Sequence, residues 1–209
     1  MLRRLFLKSA LTASIACGAM STAFAADTAP RVDVVKIMSL TCPVCRAAET
    51  HDPAIERVVV AGGGRFVYAP LPTEPENASG AKERIYYASR ELDANTAAAV
   101  KYSLYKGAQD MGIQLTDYMK AYTWLSQDVP QLEPKFNQLF EKAQGDAALN
   151  SLKRAVKLAS QAGVSSLPGY VILVDGEVTA LLDPQSVPGN SLLTLRDEVI
   201  ARVRKLSTR

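Results

Sequence analysis

The 209-residue chain is 48% hydrophobic and 22% charged, which is the composition of a globular protein rather than a disordered one. Its formal charge of +3 traces to the first 25 residues, where Arg3, Arg4 and Lys8 stand without an acid. The remainder carries 21 basic and 21 acidic residues, so it lacks the concentrated positive charge of a nucleic-acid binder, and no nucleic-acid partner is expected.

Residues 1–25 read as a cleavable export signal. A basic start precedes an apolar stretch from Leu11 to Met20, and Ala23-Phe24-Ala25 fits a small-x-small cleavage site. The stretch is short for an uncleaved membrane anchor. Arg3-Arg4-Leu5-Phe6-Leu7-Lys8 is similar to a twin-arginine export signal, and an ordinary signal with adjacent arginines is the alternative route. Either places the mature chain in the periplasm. Cys17 goes with the signal, leaving Cys42 and Cys45 in an oxidising compartment. A disulfide across so short a loop removes little unfolded-state entropy, so the pair points to chemistry rather than stapling.

Val32 to Leu40 is rich in β-branched residues and reads as a strand buried on both faces over most of its length. Thr41-Cys42-Pro43 then opens a helix, since proline is tolerated at a first helical position. That helix is expected through about Thr50, with a break near His51-Asp52 forced by Pro53 and a second piece from Ala54 to Val60. After Gly62-Gly63-Gly64, Arg65 to Leu71 reads as a second strand and residues 72–80 as a turn-rich loop. From Ala81 to about Ala162 the pattern is helical, with starts at Asp93, Thr116 and Asp146 and breaks near Gly112, Val129-Pro130 and Gln144-Gly145. Gly169–Val174 and Glu177–Leu182 flank Asp175-Gly176, a two-residue hairpin signal. Asn190 or Ser191 caps a last helix, Leu192 to Lys205. This order predicts an α/β fold with a mixed central sheet covered by helices.

With Cys42-Pro43-Val44-Cys45 after a hydrophobic strand and Ser166-Leu167-Pro168-Gly169 before the hairpin, the chain resembles the thioredoxin superfamily, and within it the DsbA-like exported oxidoreductases. The likeness runs from about Val32 to Leu206. It implies a thioredoxin-like fold with an inserted helical domain: residues 26–72 and 161–209 form the two parts of the thioredoxin-like domain, and 73–160 the insertion. It also implies that Pro168 is cis beside the active site, with its loop open to an extended client peptide, and that Leu167 adjoins the sulfurs. Core packing is the plainer role for Leu167.

A helix N-terminus stabilises negative charge, so Cys42 is expected to be the exposed nucleophile of low pKa and Cys45 the buried partner. The expected activity is thiol–disulfide exchange that promotes disulfide formation in exported proteins. Its partners are clients bearing cysteine thiols and a membrane or soluble redox partner that recycles the enzyme. No cofactor is expected. A metal site needs four ligands where the mature chain offers two cysteines and His51, so no metal is expected either, and His51 reads as a surface residue at a helix end.

Two positions depart from the family's pattern. Val44 stands where DsbA-like proteins often have histidine, and Lys36, six residues before Cys42, stands where a buried acid is common. Lys36 either tunes the thiol pKa from the interior or snorkels to solvent. The first strand begins about six residues after the cleavage site, which points to a monomeric oxidase without an N-terminal dimerisation domain. The alternatives are a reductase or isomerase for specific clients, and a peptide-binding chaperone using Met111, Tyr118, Met119, Tyr122 and Trp124. At helical spacing such residues are more often core.

Overall fold

The computed structural model describes residues 30–74 and 79–208; the stretch read above as an export signal, including Cys17, and part of the loop after the second strand lie outside them. β1 (Val32–Met38) runs parallel to β2 (Phe66–Pro70) and antiparallel to β3 (Gly169–Val174), which pairs antiparallel with β4 (Glu177–Leu182). The sheet order is β2-β1-β3-β4. A parallel β1–β2 pair needs a crossover. Helices α1 (Pro43–Ala48) and α2 (Asp52–Ala61) supply it. The hairpin turns on Asp175 (φ 51°) and Gly176 (φ 91°), the pair of positive φ angles that a tight turn between twisted strands requires.

Two apolar layers sandwich the sheet. On one face Val32, Val34 and Ile172 meet Ile55 and Val59 of α2 and Leu195, Val199 and Val203 of α8 (Leu192–Ser207). On the other, Ile37 and Val171 join a core contributed by α3 (Ala81–Arg90), α4 (Ala94–Tyr105), α5 (Tyr118–Asp128), α6 (Glu133–Gln144) and α7 (Asp146–Ala162). At roughly 1.5–3 kcal/mol for each large apolar side chain removed from water, these two layers dominate the fold's stability. Among the described residues no helix is long and apolar enough to cross a membrane.

Several boundaries differ from expectation by a residue or two. α1 ends at Ala48 rather than Thr50 because the Glu49 N–H turns back to the Arg46 carbonyl and the Thr50 N–H to that of Ala47. Asp117, not Thr116, caps α5 by accepting from the Lys120 N–H at 2.9 Å. Asp146 is the first residue of α7, not its cap, and there its carboxylate faces the positive end of the helix dipole. Of the two candidate caps for α8, Ser191 does the work, accepting from the Thr194 N–H. The largest difference follows α4, which does not simply run on towards Gly112: it widens at Lys106–Asp110 into a π-helical turn.

Candidate active site

β1 delivers the chain through Ser39-Leu40-Thr41 to Cys42, which takes the N-cap position of α1 with extended backbone (φ −86°, ψ 111°). An N-cap side chain normally accepts a hydrogen bond from an unpaired N–H of the first turn. Here the acceptor is sulfur: the Cys45 N–H donates to Cys42 Sγ at 3.1 Å. Pro43 and Val44 are exposed, Val44 by 44%, while Cys45 is fully buried one turn further in. Both cysteines are free thiols.

The two thiols are driven apart electrostatically. Cys42 is lowered to about 6, first by the hydrogen bond from the Cys45 thiol, then by the backbone N–H groups of Cys45 and Val44 and the positive charge of Lys36, all against the cost of burial. Cys45 is pushed far up by donating that same hydrogen bond and by burial. At neutral pH the pair therefore holds one thiolate, on the accessible sulfur.

Beneath the pair lies a buried charge. Lys36 is fully buried and does not snorkel; its Nζ donates to Asp52 Oδ2 at 2.6 Å and to the Cys45 carbonyl at 3.1 Å. Sheet register sets Lys36 between Tyr68 on β2 and Tyr170 on β3, with ring centroids 5.6 and 5.7 Å from Nζ. The Tyr170 hydroxyl donates to Asp52 Oδ1 at 2.7 Å, so both carboxylate oxygens are paired. Burial pushes both phenols up, keeping Tyr68 and Tyr170 protonated. Beyond Tyr68, Lys101 sits 3.5 Å from the ring centroid and bonds Glu49 at 2.6 Å. Sequence reasoning singled out Lys36 but missed Asp52, Tyr68 and Tyr170. A lysine inside an apolar strand demands a buried acid, and Asp52, just before Pro53, was available as that signal.

The β1–β3 register pairs Ile37 with Gly169, so buried Pro168 lies at the end of β1 from which the chain leaves towards Cys42. The Leu167–Pro168 peptide bond is cis. Leu167 is half-buried and packs on the larger core, and the Ser166 hydroxyl bonds Asp183 at 2.6 Å. His51 precedes α2 at its N-cap without a side-chain capping bond. The five residues considered for a chaperone groove divide: Trp124 is buried and Tyr118 half-buried, whereas Met111, Met119 and Tyr122 are exposed.

The thioredoxin family model matches residues 22–187. The chain belongs to the thioredoxin family. Within that family its architecture is DsbA-like. It superposes on Pseudomonas aeruginosa DsbA with a TM-score of 0.65, at 18% identity over 86% of this chain and 87% of that one. For the oxidoreductase NmDsbA1 from N. meningitidis the TM-score is 0.62, at 12% identity over 86% of each chain. For the oxidoreductase DsbA from Xylella fastidiosa it is 0.61, at 19% identity over 86% and 90%. At these identities the likeness is one of fold. No curated protein matches by sequence. Family membership together with the Cys42–Cys45 pair makes this thioredoxin-family chain a thiol–disulfide oxidoreductase.

Proposed function

We propose that this thioredoxin-family protein is exported to the periplasm and donates disulfides to client proteins there, with Cys42 as nucleophile and Cys45 as resolving partner. The observation that carries the reading is the division of the pair: a partly exposed Cys42 lowered to about 6 and a buried Cys45 pushed up. In the oxidised enzyme a client thiolate attacks Cys42 Sγ, the Cys42–Cys45 bond breaks, and Cys45 leaves with the electron pair and gains a proton. A second client thiolate attacks the client sulfur of the mixed disulfide and Cys42 leaves as a stable thiolate. The client loses two electrons and two thiol protons; the enzyme gains the electrons. A thiol of low pKa is a good leaving group, which favours this direction. A membrane or soluble redox partner then takes the electrons and restores the disulfide.

Lys36 is assigned a supporting role. Its buried charge favours thiolate on both sulfurs, and its bond to the Cys45 carbonyl ties that charge to the turn. Val44 supports a second reading. It is exposed beside Cys42, yet its side chain offers neither charge nor donor, which weakens thiolate stabilisation and suits a reductase or isomerase for specific clients.

The deciding experiment combines oxidation of a reduced peptide with the redox equilibrium against glutathione. A potential well above the roughly −270 mV of thioredoxin is expected, and a value at or below it favours the reductase. Cys42→Ser should abolish exchange, and Cys45→Ser should accumulate the mixed disulfide. Alkylation of Cys42 should rise with pH through a midpoint near 6. Because folding lowers this pKa, the reduced protein is stabilised above the ordinary thiol range and loses that stabilisation as pH falls through about 6. The oxidised protein has no such thiolate, so the stability of the reduced form relative to it should increase from pH 5 to pH 8. Protein N-terminal sequencing of secreted material tests the signal: the mature chain should begin at Ala26.

A further inference from the structure

The helical insertion reaches the catalytic turn through the π-helical segment Lys106–Asp110, a geometry that recurs at functional sites. Trp124 packs closely against the widened turn. A Cβ on Gly107 would lie 2.6 Å from Trp124 Nε1, so only glycine lets the indole sit against the backbone, where its Nε1 donates to the Ser103 carbonyl at 2.8 Å. The Met111 N–H closes the turn on the Lys106 carbonyl at 3.1 Å.

The widened turn carries two consecutive residues that grip the turn containing Cys42. Gln109 Nε2 donates to the carbonyls of Leu40 at 3.0 Å and Cys42 at 3.3 Å. Asp110 receives both terminal nitrogens of Arg46, at 2.6 and 3.0 Å, one residue beyond Cys45. The Cys42 carbonyl also accepts the Arg46 N–H at 3.2 Å, so its two acceptor positions are filled. The primary amide suits this place. One nitrogen carries two donors and no charge, whereas a carboxylate there would offer only acceptors to two carbonyls.

We propose that Gln109 is a positioning residue for disulfide exchange: it holds the Leu40 and Cys42 carbonyls towards the insertion, leaving the N–H groups of the first turn of α1 free to face Cys42 Sγ. The reactivity of Cys42 thereby depends on how the insertion is seated. The inference rests on the redox reading of Cys42 given above.

The test uses the full mature chain and compares wild type, Gln109→Met and Gln109→Glu. Three readouts are taken: the pH profile of Cys42 alkylation, the glutathione equilibrium and the thermal unfolding midpoint. Gln109→Met keeps the length and removes the donors. It should slow alkylation at pH 6 by about three- to fivefold, a shift of up to about one pKa unit. It should also move the glutathione equilibrium towards the enzyme disulfide while the unfolding midpoint changes little. Gln109→Glu, which adds a negative charge beside two carbonyls, should shift both readouts further. An unshifted profile in folded Gln109→Met overturns the proposal, as does a change in midpoint alone. Should Gln109→Met fail to fold, the uncharged Gln109→Ala, which also removes both donors, decides by the same profile. A wild-type Cys42 that titrates as an ordinary thiol defeats the redox reading itself. A low-pKa wild type with unshifted variants defeats only the role of Gln109.

Discussion

The two faces of the sheet act on the same cysteine pair by different means. On the α2/α8 face Lys36, flanked by Tyr68 and Tyr170 in register, buries a full positive charge against Asp52 and bonds the Cys45 carbonyl. On the insertion face the core layer is apolar; the groups that touch the Cys42 turn are Gln109 and the Arg46–Asp110 pair, and the partly buried Lys101–Glu49 pair lies beyond Tyr68. A buried charge acts over several ångströms and is costly to leave unpaired, whereas a neutral amide acts only at contact. The first face therefore couples stability to reactivity strongly, and the second couples them weakly.

The largest expected effect tests that coupling. Asp52→Asn leaves the Lys36 ammonium buried against a carbonyl and two rings, and breaking one partner of a buried pair costs about 3–5 kcal/mol. Chemical denaturation should show a loss of that size. Lys36→Met should destabilise similarly and also raise the Cys42 midpoint, because it removes a positive charge that holds the thiolate down. The double variant Lys36→Met/Asp52→Asn should be more stable than either single one, because it leaves no unpaired charge and the neutral amide still accepts from Tyr170. Strictly additive losses would mean that the pair is not coupled.

The contrast between faces also explains what was legible in the sequence. Cys42-Pro43-Val44-Cys45 and the Asp175-Gly176 hairpin are local signals, each set by residues adjacent in the chain, whereas the place of Pro168 rests on the family resemblance. β1, β2 and the hairpin follow from composition and period alone. Asp52, Tyr68 and Tyr170 converge on Lys36 only through strand register and the angle at which α2 leaves α1, and neither is encoded in any short window. Gln109 was invisible for a different reason. Its role depends on a π-turn on whose bare backbone Trp124, seventeen residues from Gly107, packs. A helical pattern with a break near Gly112 carries no mark of that change of pitch.

A smaller effect is expected on the insertion face. Gly107→Ala would place a Cβ 2.6–2.9 Å from three atoms of the Trp124 ring. Overpacking of this kind costs about 1–3 kcal/mol, seen as a lower denaturation midpoint. The ring must move away, which loosens the π-turn and with it the grip of Gln109. Alkylation of Cys42 at pH 6 should slow along with the loss of stability. A destabilised variant with an unchanged alkylation profile would show that the insertion packs on the catalytic turn without tuning it.

The smallest effect calibrates the other two. Ser191 caps α8 by accepting from the Thr194 N–H at 3.2 Å, on the same side of the sheet as Lys36 but at the edge of that layer. Ser191→Ala should cost about 1 kcal/mol, the usual loss for a helix cap. It touches neither Asp52 nor the Cys42 turn, so the alkylation profile and the glutathione equilibrium should match wild type within error. If this loss of stability alone shifted the Cys42 midpoint, general loosening would suffice to explain the behaviour of the Lys36 and Gly107 variants. An unmoved midpoint leaves their effects to the buried charge on one face and the π-turn on the other.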